Sequence, residues 1–195
     1  ALAARATNCE VLPYLPEKLV DEDRMLSDIE SAWAKGKGLL VTVSEGICGL
    51  DGKPLASTGI VDGFGHMVPG GTAQHVTDSI IQKLKIKSRA EKPGLLGRAA
   101  IPYASRVDQL EAYAVGKKAV EAALAGQTDY MVAIDAHRGE SYSFDLFLAP
   151  LEKVANVEKK FPLEWILEGN KIDDRFFDYA MPLMMDKMPD YAILR

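Results

Sequence analysis

Glu45, Arg89 and Arg98 have the chemical type and the local setting to bind a polar ligand. Glu45 follows Val41-Thr42-Val43-Ser44 and precedes Gly46, so an apolar, β-branched run delivers a carboxylate to the carboxyl end of a strand. In open α/β sheets that edge is where ligands bind, and a carboxylate there can accept hydrogen bonds from sugar hydroxyls. Arg89 and Arg98 flank Pro93-Gly94, and guanidinium forks match phosphate oxygens better than a lysine ammonium does. Each signal is weak by itself. A strand-end Glu is most often a surface carboxylate, and two such arginines are most often solvated.

Other combinations carry less. Gly70-Gly71-Thr72 ahead of a helix could cradle an anion with backbone N–H groups. It lacks the spacing and the lysine of a P-loop, and a turn with Thr72 as N-cap is the better account. Ser105, His75 and Asp108 supply the residue types of a hydrolase triad, but no nucleophile elbow surrounds any serine. His66, His75 and His137 show no metal-ligand spacing and read as ordinary surface or core histidines. Asp135-Ala136-His137-Arg138 follows an apolar run and fits either a cleft lining or an exposed turn.

The elements that must position these residues are legible around them. Cys9 to Tyr14 reads as a short strand, and Asp21 to Lys35 as a helix with acidic residues in its first turn, where the helix dipole favours them. Met25, Leu26, Ile29, Ala32 and Trp33 share its apolar face, and Gly36 and Gly38 stop it. Leu39 to Val43 suits a buried strand. Ser44 to Gly71 is a long glycine-rich connection of the kind that is usually functional or mobile. A helix then begins at Thr72 with Ala73, Val76, Ile80 and Leu84 aligned, followed by a short strand over Ile86 to Ala90. Val107 to Ala125 is the clearest helix, with Ala112, Val115, Gly116, Ala119, Val120, Ala123 and Leu124 on one face and Gly126 as its stop. Tyr130 to Ile134 reads as another buried strand, and from Leu151 short helical pieces alternate with Pro and Gly. Strand–helix alternation with near-continuous apolar strands indicates an α/β class with a largely parallel sheet.

The totals are compatible with this. The chain has 195 residues, 48% hydrophobic and 26% charged, which suffices for a real core. Its net charge of -5 argues against a broad nucleic-acid surface but not against a small phosphate ligand. No apolar stretch is long enough to span a membrane. Cys9 and Cys48 have no metal spacing; a disulfide between them stays open, with a reduced cytoplasmic chain the expectation. Ala1 to Arg5 is too short for a signal sequence and reads as the end of a helix that starts upstream.

Read in succession, the motifs resemble the carboxy-terminal half of a phosphofructokinase. Val41-Thr42-Val43-Ser44-Glu45-Gly46-Ile47 resembles the family strand ending in Ser/Ala-Glu-Gly. Ile86-Lys87-Ser88-Arg89 resembles its Lys-Thr-Arg element, and Gly94-Leu95-Leu96-Gly97-Arg98-Ala99-Ala100 its Gly-x-x-Gln-Arg-small-small motif. Asp62-Gly63-Phe64-Gly65-His66 with Gly70-Gly71 resembles a loop of the pyrophosphate-dependent members. Ala104 to Asp108, Glu111-Ala112-Tyr113, Gly116, Pro162 to Ile166 and Glu168-Gly169-Asn170 continue the match.

The resemblance implies a three-layer Rossmann-like fold, with Glu45 on the sugar of fructose 6-phosphate and Arg98 on its phosphate. Arg89 is expected to reach the phosphate across a subunit interface, which implies a homo-oligomer. Leu95 stands where a hydrogen-bonding residue is frequent and Gly97 where Gln is usual, so the sugar contacts differ from the family pattern. The Gly-Gly-Asp, Thr-Ile-Asp and Met-Gly-Arg motifs of the family's amino-terminal half do not occur here. The expectation is therefore a fragment or one part of a split enzyme, holding no catalytic residue and no metal ligand of its own and inactive alone. Magnesium and the phosphoryl donor, pyrophosphate or ATP, would be bound mainly by the amino-terminal half. Residues 1–97 are expected in the sugar-phosphate-binding lobe, 98–150 as a helix and strand of the other lobe, and 151–195 as a helical extension. A non-catalytic sugar-phosphate-binding or regulatory module is the competing reading. Neither a nucleic acid nor a membrane is an expected partner.

Overall fold

Leu39 to Val43 has the β-branched, aliphatic composition that suits a sheet interior, and in the computed structural model it is a strand paired in parallel with Glu10–Tyr14. The structure describes residues 1–7, 9–61, 63, 65, 67–139 and 141–184. Two compact units divide the chain. One comprises Ala1–Gly94 with Phe161–Asp173, and the other Leu95–Lys160 with the described residues from Asp174 on.

The first unit opens with a short helix α1 (Leu2–Thr7), then β1 (Glu10–Tyr14), α2 (Glu22–Trp33) and β2 (Leu39–Val43). A parallel pair needs a crossover, and α2 supplies it. Asp21 caps α2: its carboxylate accepts the N–H of Asp23 at 3.0 Å and of Arg24 at 3.2 Å. These are donors that the first helical turn leaves unpaired. Met25, Leu26, Ile29 and Ala32 are buried and join Leu12, Tyr14, Val20, Ile47, Val76 and Ile80 in one core. Trp33, expected on the same face, lies in the last turn and is 44% exposed.

The glycine-rich connection carries structure of its own. β3 (Ser57–Val61) and β4 (Met67–Pro69) pair antiparallel, with an irregular register between them. Asp62, Phe64 and His66, which carry part of the family resemblance, lie outside the described residues. The helix that follows, α3 (Thr72–Ser79), is capped by Gly71 at φ +79, not by Thr72. Glycine takes that left-handed conformation without the strain a side chain would meet. A π-helical turn, Ile80–Leu84, extends α3, and Lys85 at φ 58 ends it. The strand expected over Ile86 to Ala90 does not form. Burial still alternates there, with Ile86, Ser88 and Ala90 partly buried and Lys87 and Arg89 exposed, but none of these residues pairs in a ladder.

The second unit contains α4 (Leu96–Ala99), α5 (Arg106–Leu124), β5 (Tyr130–Arg138), β6 (Tyr142–Pro150) and α6 (Asp174–Ala180). Ser105 caps α5, its Oγ accepting the N–H of Asp108 at 3.4 Å, and Gly126 at φ +75 follows the helix end. β5 and β6 form a continuous antiparallel hairpin, from Tyr130 opposite Pro150 to Arg138 opposite Tyr142. β5 is longer than expected and takes Asp135, Ala136, His137 and Arg138 into the ladder. It is also mainly exposed, where its apolar run predicts burial. β6 went unread in the sequence although Tyr142, Phe144, Leu146 and Leu148 alternate with polar or more exposed neighbours at the period of a strand.

The apolar face expected on α5 is largely uncovered: Val120 is 59% and Leu124 85% exposed. The buried residues of the helix are Val107, Glu111 and Ala122. Glu111 is kept there by a hydrogen bond donated by the Tyr142 hydroxyl. Burial first, then the neighbouring carboxylate, pushes the Tyr142 phenol up to about 12. The α/β class stands, with helices and strands alternating around a parallel pair; the two hairpins are antiparallel. Among the described residues, no helix is long and apolar enough to cross a membrane.

Candidate functional site

β2 ends at Val43, and the turn that follows presents Glu45 at the carboxyl end of the parallel pair. Its backbone is fixed from several sides. The Ser44 N–H donates to the carbonyl of Tyr14 at 3.4 Å, and the Gly46 N–H to Ser44 Oγ at 3.4 Å. Ile47, fully buried, anchors the turn in the core, and its carbonyl accepts the Leu55 N–H at 3.1 Å.

A tie to the Glu45 backbone itself comes from α3. Thr72 is buried, and its hydroxyl donates to the Glu45 carbonyl at 3.3 Å. This is where the Thr72 oxygen goes in place of the expected capping role. A threonine at the first helical position, with Gly71 taking the cap, can turn its hydroxyl away from the helix and toward the turn.

The Glu45 side chain itself is 48% exposed, and Lys92 Nζ lies 2.5 Å from its Oε1. Lys92 belongs to the same irregular segment as Arg89, which is exposed, while Ile86 at the start of that segment packs against the core. The structure therefore joins the Glu45 turn to the Arg89 segment through Lys92, a contact that sequence reading missed. Its one signal was a third cation between the two arginines, directly before Pro93-Gly94. Arg98 stands in α4 of the second unit, exposed on a single helical turn, with its N–H bonded to the Leu95 carbonyl.

Rival chemistry finds local explanations. Ser105 caps α5 and donates its hydroxyl to the Leu183 carbonyl. His75 Nε2 is 3.3 Å from Glu22, and His137 Nε2 is 3.0 Å from Asp145 across the β5–β6 ladder. No group of three or more His, Cys, Asp or Glu residues that could hold a metal occurs among the described residues. Cys9 and Cys48 are both free.

The first unit also holds a cavity of about 350 Å³, lined by Tyr14, Lys18, Asp21, Arg24, Asp28 and Asn170 among others. Neither Glu45 nor Arg89 lines it. Burial pushes the Tyr14 phenol up to about 12, and the charge of Asp28 adds to this. The Asn170 side chain offsets part of the shift without a well-formed hydrogen bond to the hydroxyl, which is left buried and unpartnered.

Comparison with known proteins finds relatives of one kind. The pyrophosphate–fructose 6-phosphate 1-phosphotransferase of Methylococcus capsulatus is 38% identical over 188 residues, which cover 92% of this chain and 45% of that protein. The protein of the same name from Rhodospirillum rubrum is 36% identical over 194 residues, 94% of this chain and 47% of its own length. A solved structure, the pyrophosphate-dependent phosphofructokinase from Nitrosospira multiformis, superposes with a TM-score of 0.73 at 31% identity, over 96% of this chain and 43% of that one. The chain is similar to the carboxy-terminal part of phosphofructokinases.

It corresponds to the carboxy-terminal part of those phosphofructokinases and spans about half the length of the curated relatives it matches. A more distant phosphofructokinase, the ATP-dependent 6-phosphofructokinase of Corynebacterium efficiens, is 28% identical over 141 residues, 72% of this chain and 40% of its own length. No family model matches the chain.

Proposed function

We propose that this chain supplies substrate-binding residues to a phosphofructokinase that transfers a phosphoryl group from pyrophosphate to the 1-hydroxyl of fructose 6-phosphate. The observation that carries the reading is the similarity, along 92% of the chain, to a protein named for that reaction, together with a carboxylate held at the carboxyl end of its parallel strand pair.

Each residue has a role that its chemistry suits. Glu45 accepts hydrogen bonds from sugar hydroxyls, and its carbonyl tie to Thr72 keeps the turn from yielding when substrate arrives. Arg89 and Arg98 bind the 6-phosphate through charge-assisted forks. Both are exposed, so they meet an incoming dianion without first giving up a buried partner. In the assembled enzyme Arg89 acts on the substrate of a neighbouring subunit. Phosphoryl transfer depends on positioning and charge neutralisation more than on covalent chemistry, and this chain contributes to both. The general base and the magnesium ligands come from the part of the longer relatives that the chain does not span. The enzyme is cytoplasmic and the chain alone is inactive.

The test is formation of fructose 1,6-bisphosphate, measured on this chain and on the product of the uninterrupted gene, with pyrophosphate or ATP. Turnover by the longer product with pyrophosphate, and not with ATP, is the expected result. Turnover with ATP alone would move the assignment to the ATP-dependent branch, which the 28% identical relative makes the natural second choice. Sugar-phosphate binding without turnover by either product would favour a regulatory module. Leu95 and Gly97, at positions where the family pattern has side chains able to hydrogen-bond, are the residues that speak for it.

A further inference from the structure

We infer that Lys92 is a positioning residue of the sugar site, holding the Glu45 carboxylate in the orientation that accepts sugar hydroxyls. The inference rests on the proposed role of Glu45 and goes one residue beyond it. Lys92 Nζ and Glu45 Oε1 are 2.5 Å apart, although the two residues are separated by 47 positions and stand on different loops. Each loop is restrained close to the contact. The Glu45 backbone is tied to Thr72 and packed beside the buried Ile47, while Pro93, with its ring-fixed φ, and Gly94, at φ +58, follow Lys92 directly.

The contact joins side chains that are 48% and 77% exposed, and ion pairs of that kind add little to the stability of a fold. Its consequence is geometric. A glutamate on a turn has several rotamers open to it, and a cation on Oε1 selects one of them and leaves Oε2 with its lone pairs for the ligand. The ion pair also fastens the Glu45 turn to the segment carrying Arg89, three residues before Lys92, so this chain's own sugar-binding turn is coupled to the arginine it lends to a neighbouring subunit's substrate.

Steady-state kinetics of the uninterrupted gene product test this. Lys92→Met raises KM for fructose 6-phosphate about three- to fivefold, the upper part of the range expected of one exposed ion pair. The turnover number and the melting temperature stay unchanged, and Lys92→Arg restores most of the affinity. In the Glu45→Ala background, Lys92→Met produces no further rise, because the lysine then has nothing to orient. An unchanged KM in Lys92→Met beside a raised KM in Glu45→Ala would overturn the role of Lys92 alone. So would a rise in KM that is additive with that of Glu45→Ala, which would mean that Lys92 contacts the sugar phosphate itself. No effect from Glu45→Ala would remove the site reading and this inference with it.

Discussion

Glu45 illustrates how a residue of ordinary type acquires a defined setting: its carbonyl is held by a buried threonine and its carboxylate by a lysine, while nearly half of the side chain faces solvent. A carboxylate or guanidinium lost from such a site removes charge-assisted bonds of roughly 2 kcal/mol, so Glu45→Ala and Arg98→Ala should each raise KM for the sugar by about thirtyfold. Kinetics of the complete enzyme check this, and unchanged values in both variants would sink the assignment. Tyr14 makes a different point. Its hydroxyl is buried without a partner, so Tyr14→Phe should leave stability to denaturant equal or raise it by up to ~1 kcal/mol. The sign of its pH dependence follows from a folded-state pKa of about 12 against an ordinary 10.0. Folding favours the neutral phenol, so this contribution is complete below pH 10.0 and is lost as pH rises toward about 12. Alkaline denaturation midpoints of Tyr14→Phe should accordingly fall less over that interval than those of the parent.

Among the elements, α2 and α3 have the largest share in presenting the site. α2 closes the parallel β1–β2 pair and supplies four buried residues to the core beneath Glu45, and Asp21 starts it by accepting two backbone N–H groups. Replacing Asp21 with Ala should cost about 1 kcal/mol in chemical denaturation with an unchanged m-value, the usual loss for an N-cap. α3 acts on the site more directly through Thr72. Thr72→Val keeps the shape but leaves the Glu45 carbonyl without this donor, so it should cost about 1 kcal/mol and also raise KM for the sugar. A loss of stability with no change in KM would show that the turn holds its form without α3.

At the scale of the whole chain, the feature with the largest physical consequence is uncovered apolar surface. α5 presents Val120 and Leu124 to solvent, and the nine-residue strand β5 is mainly exposed. Apolar surface of this kind drives association unless something covers it. The chain by itself should therefore self-associate in a concentration-dependent way in sedimentation velocity, and Val120→Lys with Leu124→Lys should reduce this without lowering the melting temperature. A strictly monomeric parent chain would contradict the expectation.

What the sequence determined by itself was local. Acidic residues in the first turn with a 3.6-residue apolar period define α2 within a residue or two, a helical apolar period with a terminal glycine defines α5, and a β-branched run defines β2. Those patterns act between near neighbours along the chain, so they can be read without a fold, and the ordered motifs were enough to point to the family. Tertiary structure decided everything that depends on residues meeting from far apart. It turned Thr72 from a helix cap into the support of Glu45, left the strand-like alternation of Ile86 to Ala90 without a partner, and determined which faces of α5 and β5 are covered. It also set Lys92 against Glu45 across 47 positions, a contact made by the convergence of two loops, which no local pattern encodes.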